Sequence, residues 1–251
     1  ILSLLASFLV LPAKAADSFE TEVAQAELLA AVEATGNLTD IQLGLQVTLQ
    51  PGWKIYWRSP GDAGLPTQLN IIEAASSELK MTMAYPLPKR FSLFGLDTYG
   101  YGDKVMFPVH LSGHLPGQPL DLQVDLNALV CSDICVPFNG PLAVRVPAGA
   151  ARPSVYAREI ARATALVPRE TSSLSLSIDS VTYDQQLNSL YVQLKNMDIL
   201  IDDIFIETEQ RGLSFARPSL IKDGLYEIAV SGAVAGVSLD QQTMRLTVQS
   251  G

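Results

Sequence analysis

Leu120-Asp-Leu-Gln-Val-Asp-Leu-Asn-Ala-Leu-Val-Cys-Ser-Asp-Ile-Cys135 holds both cysteines of the 251-residue chain and its clearest fold signal. Leu120, Leu122, Val124, Leu126 and Ala128 alternate with Asp121, Gln123, Asp125 and Asn127, the period of two of a strand with one buried and one wet face. The same pattern recurs at Ile41, Leu43, Leu45, Val47 and Leu49, interleaved with Gln42, Gly44, Gln46, Thr48 and Gln50 and closed by the turn Pro51-Gly52. Further strands are predicted near Val23–Glu33, Thr67–Ile72, Met81–Tyr85, Val105–Leu111 and Leu142–Val146. Turn signals separate them at Pro60-Gly-Asp-Ala-Gly64, Pro86-Leu-Pro88, Gly100-Tyr-Gly-Asp103 and Pro116-Gly117. Many short strands with such punctuation predict an antiparallel sandwich.

Pro153 to Val167 departs from this period. Tyr156, Ile160, Ala163 and Val167 recur at helical spacing, Pro153 suits a first turn, and Pro168 ends the run. Strands return at Leu174–Tyr183, Leu190–Lys195, Ile199–Glu207, Leu213–Ala216, Tyr226–Val230 and Met244–Val248, enough for a second small sandwich. The expected fold class is all-β, two sandwiches joined by a short helix. The expected division is 1–15 leader, 16–149 first sandwich, 150–170 connecting helix and linker, 171–251 second sandwich.

The leader is the apolar run Ile1-Leu-Ser-Leu-Leu-Ala-Ser-Phe-Leu-Val-Leu-Pro12, too short to span a bilayer, followed by Ala13-Lys-Ala15. That is the core and cleavage site of a secretory signal lacking its initiating Met. Export places the two thiols where disulfides persist. Loss of Lys14 with the leader takes the formal charge from −9 to −10, 16 basic against 26 acidic residues. Such an acidic protein is a poor partner for nucleic acid or an anionic membrane. With 48% hydrophobic and 17% charged residues, the chain can also bury a core.

A bond between Cys131 and Cys135 would close a loop worth only about 2 kcal/mol in the chain-entropy model. Reversible redox chemistry is therefore favoured over a static staple. Bonded cysteines also need their Cα atoms about 4.4–6.8 Å apart, so the chain must turn at Ser132-Asp-Ile134. If the alternation from Leu120 continues, Cys131 shares the solvent face of Asp121, Asp125 and Asn127 and the thiols are reachable; a bulge at Leu129-Val130 would reverse this. No Lys or Arg lies between Leu115 and Val144, and Asp133 disfavours a thiolate. Electrostatic support would have to come from Lys54, Arg58, Lys89 and Arg90, unless these are ordinary surface charges. Two aromatic groups, Trp53, Tyr56 and Trp57, then Phe91, Phe94, Tyr99 and Tyr101, are read as core or as a lid over the disulfide. His110 and His114 have ligand spacing only on a helix, and Met81 with Met83 reads as core, so no metal is expected. No hydrolase, zincin or nucleotide-binding motif is present.

Leu49-Gln-Pro-Gly-Trp-Lys-Ile-Tyr-Trp-Arg-Ser-Pro-Gly-Asp-Ala-Gly-Leu-Pro66 resembles a segment of the N-terminal periplasmic domain of DsbD/ScsB-type thiol:disulfide interchange proteins. Tyr85-Pro-Leu-Pro-Lys-Arg-Phe91, Tyr99-Gly-Tyr101 and Val130-Cys-Ser-Asp-Ile-Cys-Val-Pro137 match in the same order. The resemblance is strong over residues 20–148 and weak beyond, and the three-residue cysteine spacing suits the ScsB-like branch. It implies immunoglobulin-like sandwiches, Cys131 and Cys135 as a redox pair, and Phe91, Phe94, Tyr99 and Tyr101 as a shielding or docking surface. It also implies a periplasmic location, thioredoxin-fold partners, a membrane-embedded electron donor and no cofactor. The chain is expected to be either a stand-alone domain protein or the front of a longer one. The competing reading is a non-catalytic sandwich whose disulfide pins a turn.

Overall fold

Where apolar and polar residues alternate, the chain runs as strand, and antiparallel pairing buries one side of each run. The computed structural model describes residues 18–74, 78–93, 95–170, 176–195, 200–210, 212–232, 239 and 243–250. The expected leader and Phe94 lie outside them. One layer of the first sandwich follows the order β1 (Ser18–Glu20), β2 (Ala24–Ala30), β3 (Asp40–Leu49), β9 (Lys104–Ser112), β6 (Lys80–Met83). The other layer has two parts. One is β13 (Gly140–Val146), β10 (Leu120–Asn127) and β5 (Gln68–Ala74); the other is β12 (Cys135–Pro137), β11 (Leu129–Cys131), β4 (Lys54–Gly61), β8 (Leu96–Gly102) and β7 (Lys89–Leu93). Only Ala128 separates β10 from β11, so the alternating run at Leu120 feeds both parts. Leu28, Leu45, Trp57, Phe107 and Val124 fill the space between the layers with no exposed surface.

The helix is shorter than its sequence suggests. It spans α1 (Ala157–Ala165), and Pro153 lies before it in an isolated bridge to Val32. Rather than linking freely, α1 lies on the outer face of β3 and β9. Gly44, one of the residues opposite the buried set of β3, sits beneath it: a Cβ there would strike Met106 Sδ and come within 2.9 Å of Ile160 Cγ1. Ile160 and Ala163 pack with Leu29 and Met106, and Lys104 pairs with Glu159 at 2.8 Å.

The second sandwich is built from β14 (Ser177–Asp184), β15 (Ser189–Lys195) and β19 (Leu225–Gly232), with β17 (Leu213–Phe215) and β18 (Ser219–Lys222) both pairing β19. Facing this sheet is the ribbon of β16 (Asp203–Thr208) and β20 (Met244–Gln249). Ile204 and Ile206 point into this core with Leu190, Val192 and Ile228. Phe205, between them on β16, belongs instead to the core of the first sandwich, 5.9 Å from Trp57 and 5.1 Å from Tyr99 by ring centroids. A strand apolar on both faces thus joins the two cores. The fold class is as expected: all-β, two immunoglobulin-like sandwiches and a short helix.

Candidate functional site

The cysteines sit at the mouth of a tight hairpin. Ser132 N–H donates to Ile134 O and Phe138 N–H donates to Ala128 O, each at 2.9 Å. Between those hydrogen-bonded ends, Cys131–Cys135 and Leu129–Pro137 are the non-hydrogen-bonded pairs of β11 and β12. Side chains approach most closely at such pairs. The two Cα atoms are 4.1 Å apart, and the thiols are joined as a disulfide. Pro137 is tolerated for the same reason: its missing N–H falls on the open side of edge strand β12. Asn139 Oδ1 accepts Ala128 N–H at 2.9 Å, and Phe138 stacks 5.2 Å from Phe19 of β1, so the base of the hairpin is held from two directions.

The alternation continues through β11 without reversal. Val130 points into the core; Cys131 and Leu129 occupy the outer face. The expectation that both thiols are reachable holds for only one of them. Cys135 is exposed, whereas Cys131 is 1% exposed. Cys131 lies in register between Cys135 and Lys54 of β4, and its outward position is covered from both sides. The Lys54 ammonium stands 5.1 Å from the centroid of the Phe91 ring, and Phe91 also reaches within 3.9 Å of where a Gly102 Cβ would lie. One row across the sheet therefore reads Cys135, Cys131, Lys54, Gly102, with Phe91 over its far end.

The other residues expected to serve the site are distributed by the pleat. Phe91 pairs with Thr98 and Lys89 with Gly100, on the disulfide's face of the sheet. Tyr99 and Tyr101 alternate to the opposite face and are 2% and 7% exposed. They are core, not shield; Tyr101 donates to Pro86 O at 2.7 Å. Trp57 and Tyr56 are likewise buried, and Trp53 packs partly buried against the core. Burial pushes Tyr99 up to about 12 even though the Arg90 guanidinium pulls it down.

Arg58 and Arg90 were candidates for electrostatic support of the thiols; both are instead engaged by the second sandwich. Arg58 forms a two-point pair with Glu207, at 2.9 and 2.7 Å, and lies 4.3 Å over the Trp57 ring. Arg90, with its side chain 4% exposed, grips both carboxylate oxygens of Asp203 at 2.9 and 2.8 Å. It also donates to Asp97 at 3.0 Å and to Phe215 O at 2.8 Å. Burial works against its charge, but these bonds and the neighbouring acids hold its pKa above the ordinary value. Lys54 alone of the four cations is a register neighbour of a cysteine; Lys89 is exposed. His110 bonds Gln42 and Asp40 on the outer face of β9, while His114 is buried with Nδ1 on Leu38 O, 2.9 Å away.

Two features had no counterpart in the sequence reading. Asp203, Phe205 and Glu207 line the first-sandwich face of β16; an acid-aromatic-acid alternation opposite two isoleucines is the signal that could have marked them. The second feature is a cavity of about 420 Å³ beside the hairpin, walled by Leu129 and Pro137 on one side and Leu65 and Pro66 on the other. Leu65 in that wall is 59% exposed, and Ile134, next to the exposed Cys135 in the turn, is 63% exposed.

The first sandwich has known counterparts. The family described as thiol:disulfide interchange protein DsbD, N-terminal, matches residues 21–147. The crystal structure of the N-terminal periplasmic domain of ScsB from Proteus mirabilis superposes with a TM-score of 0.66 at 25% identity, covering 92% of this chain and 94% of that one. The reduced N-terminal domain of DsbD from Neisseria meningitidis aligns over 58% of this chain and 96% of its own, at 13% identity and a TM-score of 0.30. No curated protein sequence matches. With the match running from β2 through β13 and including the cysteine hairpin, the chain belongs to the DsbD N-terminal family of thiol:disulfide interchange proteins.

Proposed function

We propose that this protein is a periplasmic dithiol/disulfide relay in which Cys135 exchanges with partners and Cys131 resolves. The observation that carries this reading is the asymmetry of the pair: one cysteine exposed at the tip of an edge hairpin, the other buried behind it. In the reduced protein, the Cys135 thiolate attacks a sulfur of a partner disulfide, and the partner's other sulfur leaves and takes up a proton. The Cys131 thiolate then attacks Cys135 Sγ, closing the intramolecular bond and releasing the second partner thiol. Two electrons and two protons pass to the partner. A dithiol donor, membrane-embedded as the family resemblance implies, restores the starting state. Thioredoxin-fold proteins are the proposed acceptors, and the apolar groove of Leu65, Pro66, Leu129 and Pro137 offers them a surface beside Cys135. The leader at 1–15 supports export.

The short loop agrees with this role. Reducing the bond removes about 2 kcal/mol at most in the chain-entropy model, against a typical domain stability of about 5–15 kcal/mol. Both redox states should therefore stay folded. The decisive test combines a redox titration with single variants. Cys131→Ser should trap a mixed disulfide with a thioredoxin-fold partner, whereas Cys135→Ser should trap none. A potential below about −300 mV, the range of structural disulfides, together with no trapped complex, would make the bond a staple.

A further inference from the structure

We infer that the second sandwich braces the β7–β8 hairpin and so controls access to the buried Cys131 side of the disulfide, with Asp203 as the positioning residue acting through Arg90. This rests on the reading of Cys131–Cys135 as the exchanging pair. Adjacent residues of a strand point to opposite faces. On β7, Phe91 therefore covers Lys54 beside the buried cysteine, while Arg90 reaches through to the second sandwich.

The hairpin needs such a brace. Strand β7 pairs only with β8 among the described strands, and the β4–β8 ladder breaks between Tyr56 and Gly61. Past that break only Thr98 is paired back to β4, through Gly61. What fixes this end of the hairpin comes largely from elsewhere. Arg90 spends Nε, Nη1 and Nη2 on Asp203, Asp97 and Phe215 O, so one guanidinium ties both strands of the hairpin to both β16 and β17. Ser214 of β17 adds a 2.9 Å bond to Asp62, whose carboxylate also accepts Asp97 N–H at 2.7 Å. Phe205 packs edge-on against Tyr99 directly beneath. A shift of the second sandwich would pull on Arg90, and Phe91 would move with its neighbour. The disulfide is thereby coupled to a domain whose described contacts fall on Arg58, Arg90, Trp57, Tyr99 and Asp62.

The test uses the full oxidised chain and dithiothreitol as a small dithiol reductant, which leaves as its cyclic disulfide; the protein thiols formed are followed by acid quench, alkylation and mass spectrometry. Loosening a local closure raises the open population, so Asp203→Asn should speed reduction about fivefold. Phe91→Ala should give a similar gain, and the double variant should be no faster than Phe91→Ala, since brace and cover act in series. Glu207→Gln breaks an interface pair anchored on β4 instead and should leave the rate at the wild-type value. If Asp203→Asn fails to fold by circular dichroism, the milder Ser214→Ala carries the test with an expected gain of about twofold. A wild-type rate in the folded Asp203 or Ser214 variant, a fully multiplicative double variant, or an equal gain from Glu207→Gln would overturn the brace. Because the reductant needs no protein partner, these ratios stand whether or not exchange with a thioredoxin-fold protein is observed.

Discussion

Lys54 faces Cys131 across one rung of the ladder, where opposite side chains stand about 4.5–5.5 Å apart at Cβ. In the proposed relay, its charge would favour the Cys131 thiolate in the resolving step. Removing it in Lys54→Met takes away that support and leaves a smaller share of the thiol as thiolate. Resolution of a mixed disulfide should slow about threefold, measurable by quenched-flow trapping; an unchanged rate would remove Lys54 from the mechanism. The cysteine pair and its turn were legible in the sequence because spacing alone dictates them. The burial of Cys131 was not, because Lys54 and Phe91 come from strands 77 and 40 residues earlier in the chain.

At the scale of elements, Gly44 marks where helix and sheet meet. Gly44→Leu would force a side chain between β3 and α1, into Met106 and Ile160. Overpacking of this kind costs about 1–3 kcal/mol, and urea unfolding should show a lower midpoint with an unchanged slope; wild-type stability would mean the helix is not seated there. Strands with clean alternation, β3 and β10, were readable from the sequence. The β4, β7 and β8 segments were not, since Tyr56-Trp57 is buried on both sides and Gly100-Tyr101-Gly102 carries turn residues inside a strand. The helix began late for a related reason: Pro153 has its own bridge to Val32, and Ser154 bonds Ala30 O and Tyr156 N–H ahead of the first turn.

For the whole molecule, the shared strand β16 ties two cores into one. We propose the division at about residues 149 and 171 as structural units that nonetheless unfold together. Phe205→Ala would empty a slot between Trp57 and Tyr99, a loss of about 3–5 kcal/mol, and should split a single calorimetric transition into two. Two transitions already present in the wild type would refute the coupling. Alkali tests the same joint. Tyr99 has an ordinary value of 10.0 and is raised to about 12 in the folded protein. A raised pKa stabilises fully below the unfolded value and is lost as pH climbs through the folded one. Stability should therefore fall between pH 10 and about 12, with tyrosinate absorbance rising as the interface opens, and Tyr99→Phe should flatten that fall.

Pro137 bears on how copies of the molecule meet. At both Cys135 and Pro137 the backbone groups of β12 face away from β11, on a side where no described strand pairs and another chain could add one. Pro137 withholds a donor from that edge, so an incoming strand cannot complete its ladder alongside Cys135. Two molecules would thereby be kept from zipping together with their Cys135 residues aligned, which in the proposed dithiol state would spare crowded protein cross-linking. Pro137→Thr should turn a concentration-independent sedimentation profile into a self-associating one, and no change in that profile would show that the edge is guarded by something else.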